Sequence, residues 1–179
     1  MTNDAAREIA ELRRRILRLE ARESCVSSFN EYLHHLDAAF VDELLALFTA
    51  RARLDVVNFP PGSGRNLSFE GYEAIRSLYA RVPAGFTRHH SANVSVDVRD
   101  DGEQAELSAY FLTSREYGIG GGLYQATLVP GPERWLFDQL RIVSTWGWVL
   151  PQDAPPYLSE LLGEGALREG RPVVYRTPG

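Results

Sequence analysis

Four consecutive strand-like segments in the second half of the chain place the strongest constraint on its fold. They cover about residues 87–98, 105–116, 122–128 and 135–149. Asp100-Asp101-Gly102 lies between the first two and is a strong hairpin signal, because glycine supports the tight turns that join antiparallel strands. Segments rich in glycine or proline, at 118–122 and 130–133, separate the others and are interpreted as flexible bends. This half of the chain therefore predicts an antiparallel meander.

The first half of the chain is mostly helical in pattern. We expect helices over about residues 5–23, from the weak region 24–28 to about 35, and 38–49, then a strand at 53–59 and a short helix at 69–79. Helices that precede a run of antiparallel strands indicate an α+β fold, with the helices packed on one face of the sheet. The prediction is a cone in which five or six curved strands, mixed or antiparallel, surround three or four helices and leave a central pocket.

An unusual group of ionisable side chains interrupts the apolar face of the helical region around residue 35. The group consists of Tyr32, His34, His35 and Asp37. Asp37 follows Leu33 by one turn and should point toward the same interior. A carboxylate in a core must be paired, hydrogen-bonded or functional. Asp37 could instead cap the helix that follows, and the two roles are compatible.

Helical geometry limits which members of this group can share one pocket. Tyr32 and Asp37 are five residues apart, which separates them by about 140° around an ideal helix. They can face one pocket only if the helix ends or kinks between them. His34 and His35 diverge by about 100°, so at most one of them faces inward, and His35 is the candidate.

A second ionisable pair, His89-His90, lies on the first strand of the meander. Neighbouring residues on a strand point to opposite faces, so we expect His89 to face the pocket and His90 to face away. His89 could also be a hydrogen-bonded structural histidine. A metal site is not expected, because adjacent histidines converge poorly on one ion. The hypothesis is that this pair and the group around Asp37 face each other across a pocket.

A heptad-like seam of apolar residues marks the N-terminal helix. It consists of Ile9, Leu12, Ile16 and Leu19, which step by three and four residues. Two heptads are too short to identify a coiled coil, so the main interpretation is packing on the same domain. A contact between subunits is the alternative.

The bulk composition excludes several classes of protein. With 19 basic and 24 acidic residues, the net charge of −5 argues against general binding to nucleic acid or anionic membrane. No apolar run reaches the roughly 18 residues needed to span a bilayer. The single cysteine, Cys25, excludes an internal disulfide, and the polar N-terminus does not resemble a signal peptide. We expect one cytoplasmic domain over residues 1–150, with residues 151–179 as an arm or lid of the same domain.

Four short segments, in this order and spacing, resemble the nuclear transport factor 2-like superfamily and its SnoaL-like branch, which includes polyketide cyclases, scytalone dehydratase, bile-acid dehydratase and a dehydrochlorinase. They are Tyr32…Leu36-Asp37…Leu44-Leu45-Ala46-Leu47-Phe48, Gly71-Tyr72-Glu73-Ala74-Ile75, Thr87-Arg88-His89-His90-Ser91-Ala92-Asn93, and Gly122-Leu123-Tyr124-Gln125…Arg134-Trp135-Leu136-Phe137. The resemblance covers about residues 10–148. The proline- and glycine-rich insertion at 60–66 and the arm after Pro151 depart from the simplest family pattern.

The resemblance also implies a site. Asp37 and His89 fall at the family's catalytic aspartate and histidine, Tyr32 at a pocket tyrosine, and Arg141 where related lyases place a cationic group. The expected substrate-binding residues are His35, Phe48, Phe59, Phe111 and Trp146. Members are often dimers or trimers, so a homo-oligomer is expected.

A His–Asp pair in a dry pocket is an oriented general base, because the carboxylate fixes the tautomer and leaves one ring nitrogen free. Such a pair suits a lyase or isomerase that needs no cofactor and acts on a hydrophobic, carbonyl-bearing molecule. Dehydration is favoured and cyclisation comes next, and pocket aromatics suggest a polyketide- or steroid-like substrate. Non-catalytic binding or scaffolding is the main alternative. Epoxide hydrolysis ranks last, because it usually needs more than one pocket carboxylate.

Overall fold

The fold is a layer of helices packed on one six-stranded sheet. The computed structural model describes residues 2–59, 63–82, 84–85, 87–115 and 118–149, so the predicted arm at 151–179 lies outside the described residues. The elements are α1 (Thr2–Ala38), α2 (Val41–Leu45), β1 (Phe48–Val57), β2 (Asn66–Glu70), α3 (Gly71–Tyr79), β3 (Thr87–Val98), β4 (Ala105–Arg115), β5 (Gly118–Pro130) and β6 (Trp135–Val149).

The sheet is mixed and has the order β2-β1-β6-β5-β4-β3. β1 and β6 are parallel, whereas every other neighbouring pair is antiparallel. The sheet is curved but not closed, and the helices cover its concave face, which confirms the predicted α+β cone. The largest fully buried side chains lie between the two layers and include Phe29, Tyr32, Phe48, Tyr124 and Phe137.

Helix α1 is continuous for 37 residues, so the predicted break at 24–28 is wrong. The apolar pattern weakens there because two serines make hydrogen bonds to the sheet. The Ser28 hydroxyl donates to the carbonyl of Trp135 at 2.6 Å, and the Trp135 N–H donates to the Ser24 hydroxyl at 3.3 Å. These bonds fasten the helix to the start of β6 without ending it.

The predicted helix at 38–49 is also wrong in its extent. Only Val41–Leu45 is helical, and β1 begins already at Phe48. Ala39, at φ 56°, reverses the chain direction after α1. β2 was missed because a strand of five residues, none of them fully buried, carries little periodic signal.

The glycine-rich segment 118–122 is part of β5 and not the predicted bend. Gly122 lies at an irregularity in the pairing with β6, where the two backbones approach closely. A Cβ atom at this position would lie 2.0 Å from the Val143 carbonyl oxygen and 2.9 Å from the Phe111 ring. Glycine is therefore required here for close packing of strands.

None of the helices in the described part of the chain combines the length and apolar character needed to cross a bilayer. Contrary to the main interpretation from sequence, the described part of the domain does not cover the seam Ile9, Leu12, Ile16 and Leu19. All four side chains are exposed.

Candidate active site

Asp37 and His89 form a close pair that joins the end of α1 to β3. The Nδ1 atom of His89 lies 2.6 Å from Oδ1 of Asp37, and the His89 backbone N–H donates to Oδ2 at 3.0 Å. The His89 side chain is only 8% exposed and that of Asp37 18%. One residue of β3 thus engages both carboxylate oxygens, which fixes the orientation of the carboxylate.

The backbone around Asp37 reinforces this arrangement. Its carbonyl accepts a hydrogen bond from the Gly85 N–H at 3.0 Å and a longer one from the Arg88 guanidinium at 3.5 Å. The residue at the N-cap of α2 is Phe40, and no side chain caps that helix. Asp37 therefore does not cap α2, and its carboxylate hydrogen-bonds to the ring and backbone of His89 instead.

The electrostatics of the pair favour a neutral imidazole beside a carboxylate. Burial lowers the pKa of His89 below its usual value, although the hydrogen bond and the charge of Asp37 act in the opposite direction. Burial alone would raise the pKa of Asp37, but the hydrogen bonds from the ring and backbone of His89 lower it overall. The carboxylate accepts, so Nδ1 carries the proton, and we infer that Nε2 carries the lone pair.

His89 opens onto a cavity of about 130 Å³ between the helices and the sheet. Its walls are mainly apolar, with contributions from Leu36, Val56, Phe59, Leu67, Leu78, Val82, Phe111 and Ile142. The polar groups that reach it belong to Tyr32, Tyr79, Thr87, Thr113, Arg115, Tyr124 and Ser144. Within the described residues, Nε2 of His89 makes no hydrogen bond to the protein. The free nitrogen is thus available to a ligand.

Three buried tyrosines lie beside this cavity. The hydroxyls of Tyr32 and Tyr79 are 2.8 Å apart, and the ring of Tyr32 packs edge-on against that of Tyr124. Burial raises the pKa of Tyr32, Tyr79 and Tyr124. All three remain neutral phenols that can donate a hydrogen bond.

Tyr32 and Asp37 have different positions relative to the cavity, because they point in different directions around the helix. Tyr32 lines the cavity directly, whereas Asp37 is not among the lining residues and acts on the cavity through His89. Because α1 ends at Ala38, directly after Asp37, the carboxylate can turn toward β3.

The structure places the other predicted residues in different surroundings. Phe59 and Phe111 line the cavity. Phe48 is fully buried against Phe137 in the core, and His35 borders an external groove beside Glu43 and Arg134.

Arg141 and Trp146 do not line the cavity, contrary to the prediction. Arg141 is exposed, because alternation along β6 turns its neighbour Ile142 inward. Ser144 continues that inward face. The pairing irregularity opposite Gly121 and Gly122 then shifts the alternation, so that Trp146 is 41% exposed.

Sequence reasoning missed several lining residues, among them Arg115, Thr113 and Thr87. Period-two alternation could have found all three: Thr113 and Arg115 follow the predicted Phe111 by two and four residues, and Thr87 precedes His89 by two. Arg115 is the cation of the cavity, and its charge acts to lower the pKa values of His89 and Tyr124. It lies on β4, whereas the sequence-based prediction placed the cation on β6.

Other reactive groups in the described part of the chain do not form an alternative centre. Burial raises the pKa of the Cys25 thiol to about 12, so that it is not a thiolate nucleophile at neutral pH. Among the described residues, no three His, Cys, Asp or Glu side chains are grouped to hold a metal ion. A larger external groove of about 820 Å³ beside α1 shares no lining residue with the His89 cavity.

A curved mixed sheet over helices, with a buried His–Asp pair at an apolar cavity, defines a cone-shaped NTF2-like protein. The chain belongs to the SnoaL-like domain family, whose model matches residues 17–141. This confirms the resemblance inferred from the sequence. A search of curated protein sequences gave no match.

Solved structures share the fold at low sequence identity. A putative scytalone dehydratase from Novosphingobium aromaticivorans is 23% identical, with a TM-score of 0.60 over 76% of this chain and 89% of that one. A hexachlorocyclohexane dehydrochlorinase, LinA-type3, from Novosphingobium barchaimii is 16% identical, with a TM-score of 0.57 over 70% and 87%. ActVI-ORFA from Streptomyces coelicolor is 16% identical, with a TM-score of 0.54 over 69% and 96%.

The lowered pKa of His89 predicts that the protein loses stability in mild acid. In the unfolded chain His89 takes up a proton near pH 6.5, whereas the folded protein resists this until lower pH. The unfolded state then binds more protons, so the free energy of unfolding should decrease as pH falls from about 7 to about 5. Urea unfolding across this range measures the slope. His89→Gln should flatten it, and replacing the exposed His34 by Gln is the matched control for the loss of one histidine.

Proposed function

We propose that the chain is a lyase that needs no cofactor, in which Nε2 of His89 removes a proton from carbon. The observation that carries the proposal is the 2.6 Å contact between His89 Nδ1 and Asp37 Oδ1. This contact leaves the second ring nitrogen directed to an apolar cavity. The favoured reaction is β-elimination from a carbonyl compound, that is, loss of water or another leaving group.

The residues around the cavity supply each step of such a reaction. Nε2 takes the proton next to the carbonyl, and the electron pair of the broken C–H bond passes into an enolate. Asp37 stabilises the imidazolium that forms. The enolate then forms the C=C bond as the bond to the leaving hydroxyl breaks, and the imidazolium returns its proton to that hydroxyl to give water.

The developing negative charge on the substrate oxygen needs a stabilising partner. Arg115 brings a positive charge to the cavity, and Tyr32, at the cavity wall, brings a hydroxyl. Preorganised donors of this kind typically contribute a factor of about 10²–10³ each. In this proposal Arg115 takes the role that the sequence-based prediction gave to Arg141.

The size of the cavity limits the part of the substrate that can be enclosed. A dry apolar cavity of about 150 Å³ accommodates benzene, and the cavity here is about 130 Å³. We therefore propose a substrate whose reacting part is a single ring, instead of the enclosed polycyclic molecule expected from the sequence. The dehydratase and the dehydrochlorinase among the structural relatives support the proposed elimination, because both names describe eliminations.

Deuterium exchange tests the proposal whatever the leaving group is. A panel of cyclohexanones and 3-hydroxycyclohexanones is incubated with the protein in D₂O, and loss of the proton next to the carbonyl is followed by NMR. Enzyme-dependent exchange or loss of water is the expected result. If members of the panel bind in the cavity but neither exchange nor eliminate, a non-catalytic binding role is favoured instead.

The hydroxyl of Tyr32 is expected to contribute to turnover as a donor to the developing oxyanion. Tyr32→Phe removes the donor but keeps the ring, so kcat should decrease by about 10²–10³-fold. The same change leaves Tyr79 without its partner and should lower the free energy of unfolding by about 1 kcal/mol. Tyr79→Phe breaks the same hydrogen bond and serves as the matched control. Equal loss of kcat in both variants would show that the hydrogen bond itself matters, and not donation from Tyr32.

A further inference from the structure

The N-terminal half of α1 presents an apolar seam that the described part of its own domain leaves uncovered. The seam consists of Ile9, Leu12, Ile16 and Leu19, which are 50%, 47%, 53% and 65% exposed. Exposure of one such residue would be ordinary, but four at helical spacing form a continuous stripe. A stripe of this kind indicates a surface that packs against another helix.

The domain lies on the opposite side of the helix. Arg18 contacts Asp97 and Asp100 at the β3–β4 end, and Ala21 and Cys25 pack against the core. At 100° per residue, these three positions lie on the face opposite the centre of the seam. The described part of the domain therefore cannot cover the seam while α1 stays straight, and we look for the covering surface in another molecule.

The residue types at the seam indicate which kind of helix can pair with it. In heptad notation Ile9 and Ile16 occupy a positions, and Leu12 and Leu19 occupy d positions. Isoleucine at a with leucine at d favours parallel coiled coils of two strands. The partner that necessarily carries the same pattern in the same register is a second copy of this chain.

The flanking charges agree with the same parallel pairing. In a parallel coil, each g residue faces the e residue five positions later in the other helix. Glu8 at g would face Arg13 of the second copy, and Arg15 at g would face Glu20 of the second copy. Both pairs have opposite charges, and twofold symmetry makes each pair twice. In the antiparallel register that places Ile9 opposite Leu19, two Arg15 side chains would instead face each other.

We propose that the seam of α1 forms a parallel, two-stranded coiled coil with a second copy of the chain. The attachment of α1 to its own domain favours this coiled coil. The helix continues into the core at Phe29 and Tyr32, so its folding does not depend on the partner. The domain contacts of Arg18, Ala21 and Cys25 lie on the face of α1 opposite the centre of the seam, while Leu19, at the end of the seam, borders a groove shared with Glu133 and Arg134. Because the seam spans only two heptads, the dimer is expected to depend on protein concentration.

Sedimentation of the full chain at about 1–200 µM tests the proposal. The wild type should convert from monomer to dimer, whereas Ile16→Lys should stay monomeric throughout the range. Leu17→Lys is the matched control, because Leu17 is 65% exposed but lies outside the seam. It adds the same charge and should leave the dimer intact. A wild type that stays monomeric or forms trimers, or a dimer that tolerates Ile16→Lys, would overturn the proposal.

Charge exchange and cross-linking test the parallel orientation. Arg15→Glu should raise the dimer Kd by about 5- to 30-fold, because two attractive pairs become repulsive. Adding Glu20→Arg to it should restore the affinity, because both pairs regain opposite charges. Leu19→Cys should form a disulfide between copies in oxidised glutathione, since d residues face each other in a parallel coil. An unrestored double variant, or no cross-link in a dimer, would contradict the parallel coil.

Discussion

Replacing His89 by glutamine is expected to lower kcat/KM for the elimination by about 10²–10⁴. Among the described residues that line the cavity, this imidazole is the group with a free basic nitrogen, and Asp37 holds it in place at 2.6 Å. Glutamine has similar size and polarity but does not accept a proton at neutral pH. The deuterium-exchange assay measures the loss directly, since exchange depends on proton removal and not on the leaving group.

Two controls separate loss of the base from loss of the fold. His90 is the exposed strand neighbour of His89, and His90→Gln should keep wild-type exchange. His89→Gln should still bind a cyclohexanone that the wild type binds, because the apolar walls are unchanged. Wild-type exchange in His89→Gln, with ligand bound, would assign the base to another residue.

Hydrophobic patterns predicted the sheet well where a strand alternates regularly and turns mark its ends. The predicted ranges 87–98 and 135–149 coincide with β3 and β6, and the hairpin at Gly102 joins β3 to β4. The pattern failed for the glycine-rich start of β5. Close approach of neighbouring backbones selects glycine there, and that contact cannot be read from local propensity.

Site residues could be predicted from the sequence where the face of a single helix or strand determines the direction of their side chains. A carboxylate on a core-facing turn of α1 needs a partner, which singled out Asp37, and the family resemblance supplied His89 as that partner. Trp146 lies outside the cavity lining because a pairing irregularity in β6 shifts its face. Phe48 was assigned to a helix, although it begins β1 and is buried in the core.

The end of α1 couples the helical layer to the sheet. The carbonyl of Asp37 is held by Gly85, while its carboxylate holds the side chain and backbone of His89. The same residue therefore lies in the last turn of the helix, is hydrogen-bonded to β3 and orients the base. Replacing it should disturb the chemistry more than the core packing, because its side chain is partly exposed and makes no apolar contact with the cavity.

Replacing Asp37 by asparagine is expected to lower kcat by up to about 10⁴, the loss seen when the aspartate of a catalytic triad is changed in this way. Asparagine has one carbonyl oxygen where the carboxylate has two acceptors. If that oxygen keeps the bond from the His89 backbone N–H, the amide NH₂ faces Nδ1. The imidazole must then accept at Nδ1 and carry its proton on Nε2, so the base nitrogen is already protonated.

The tautomer gives a readout that a purely structural role of Asp37 would not change. In the wild type, ¹⁵N NMR of His89 should show the proton on Nδ1, and in Asp37→Asn on Nε2. KM should change little, because Asp37 does not line the cavity. Asp37→Ala removes both acceptors, so the backbone N–H of His89 is left unsatisfied and the free energy of unfolding should decrease by about 1–3 kcal/mol. An asparagine variant that keeps full turnover, with its proton on Nδ1, would show that Asp37 does not orient the base.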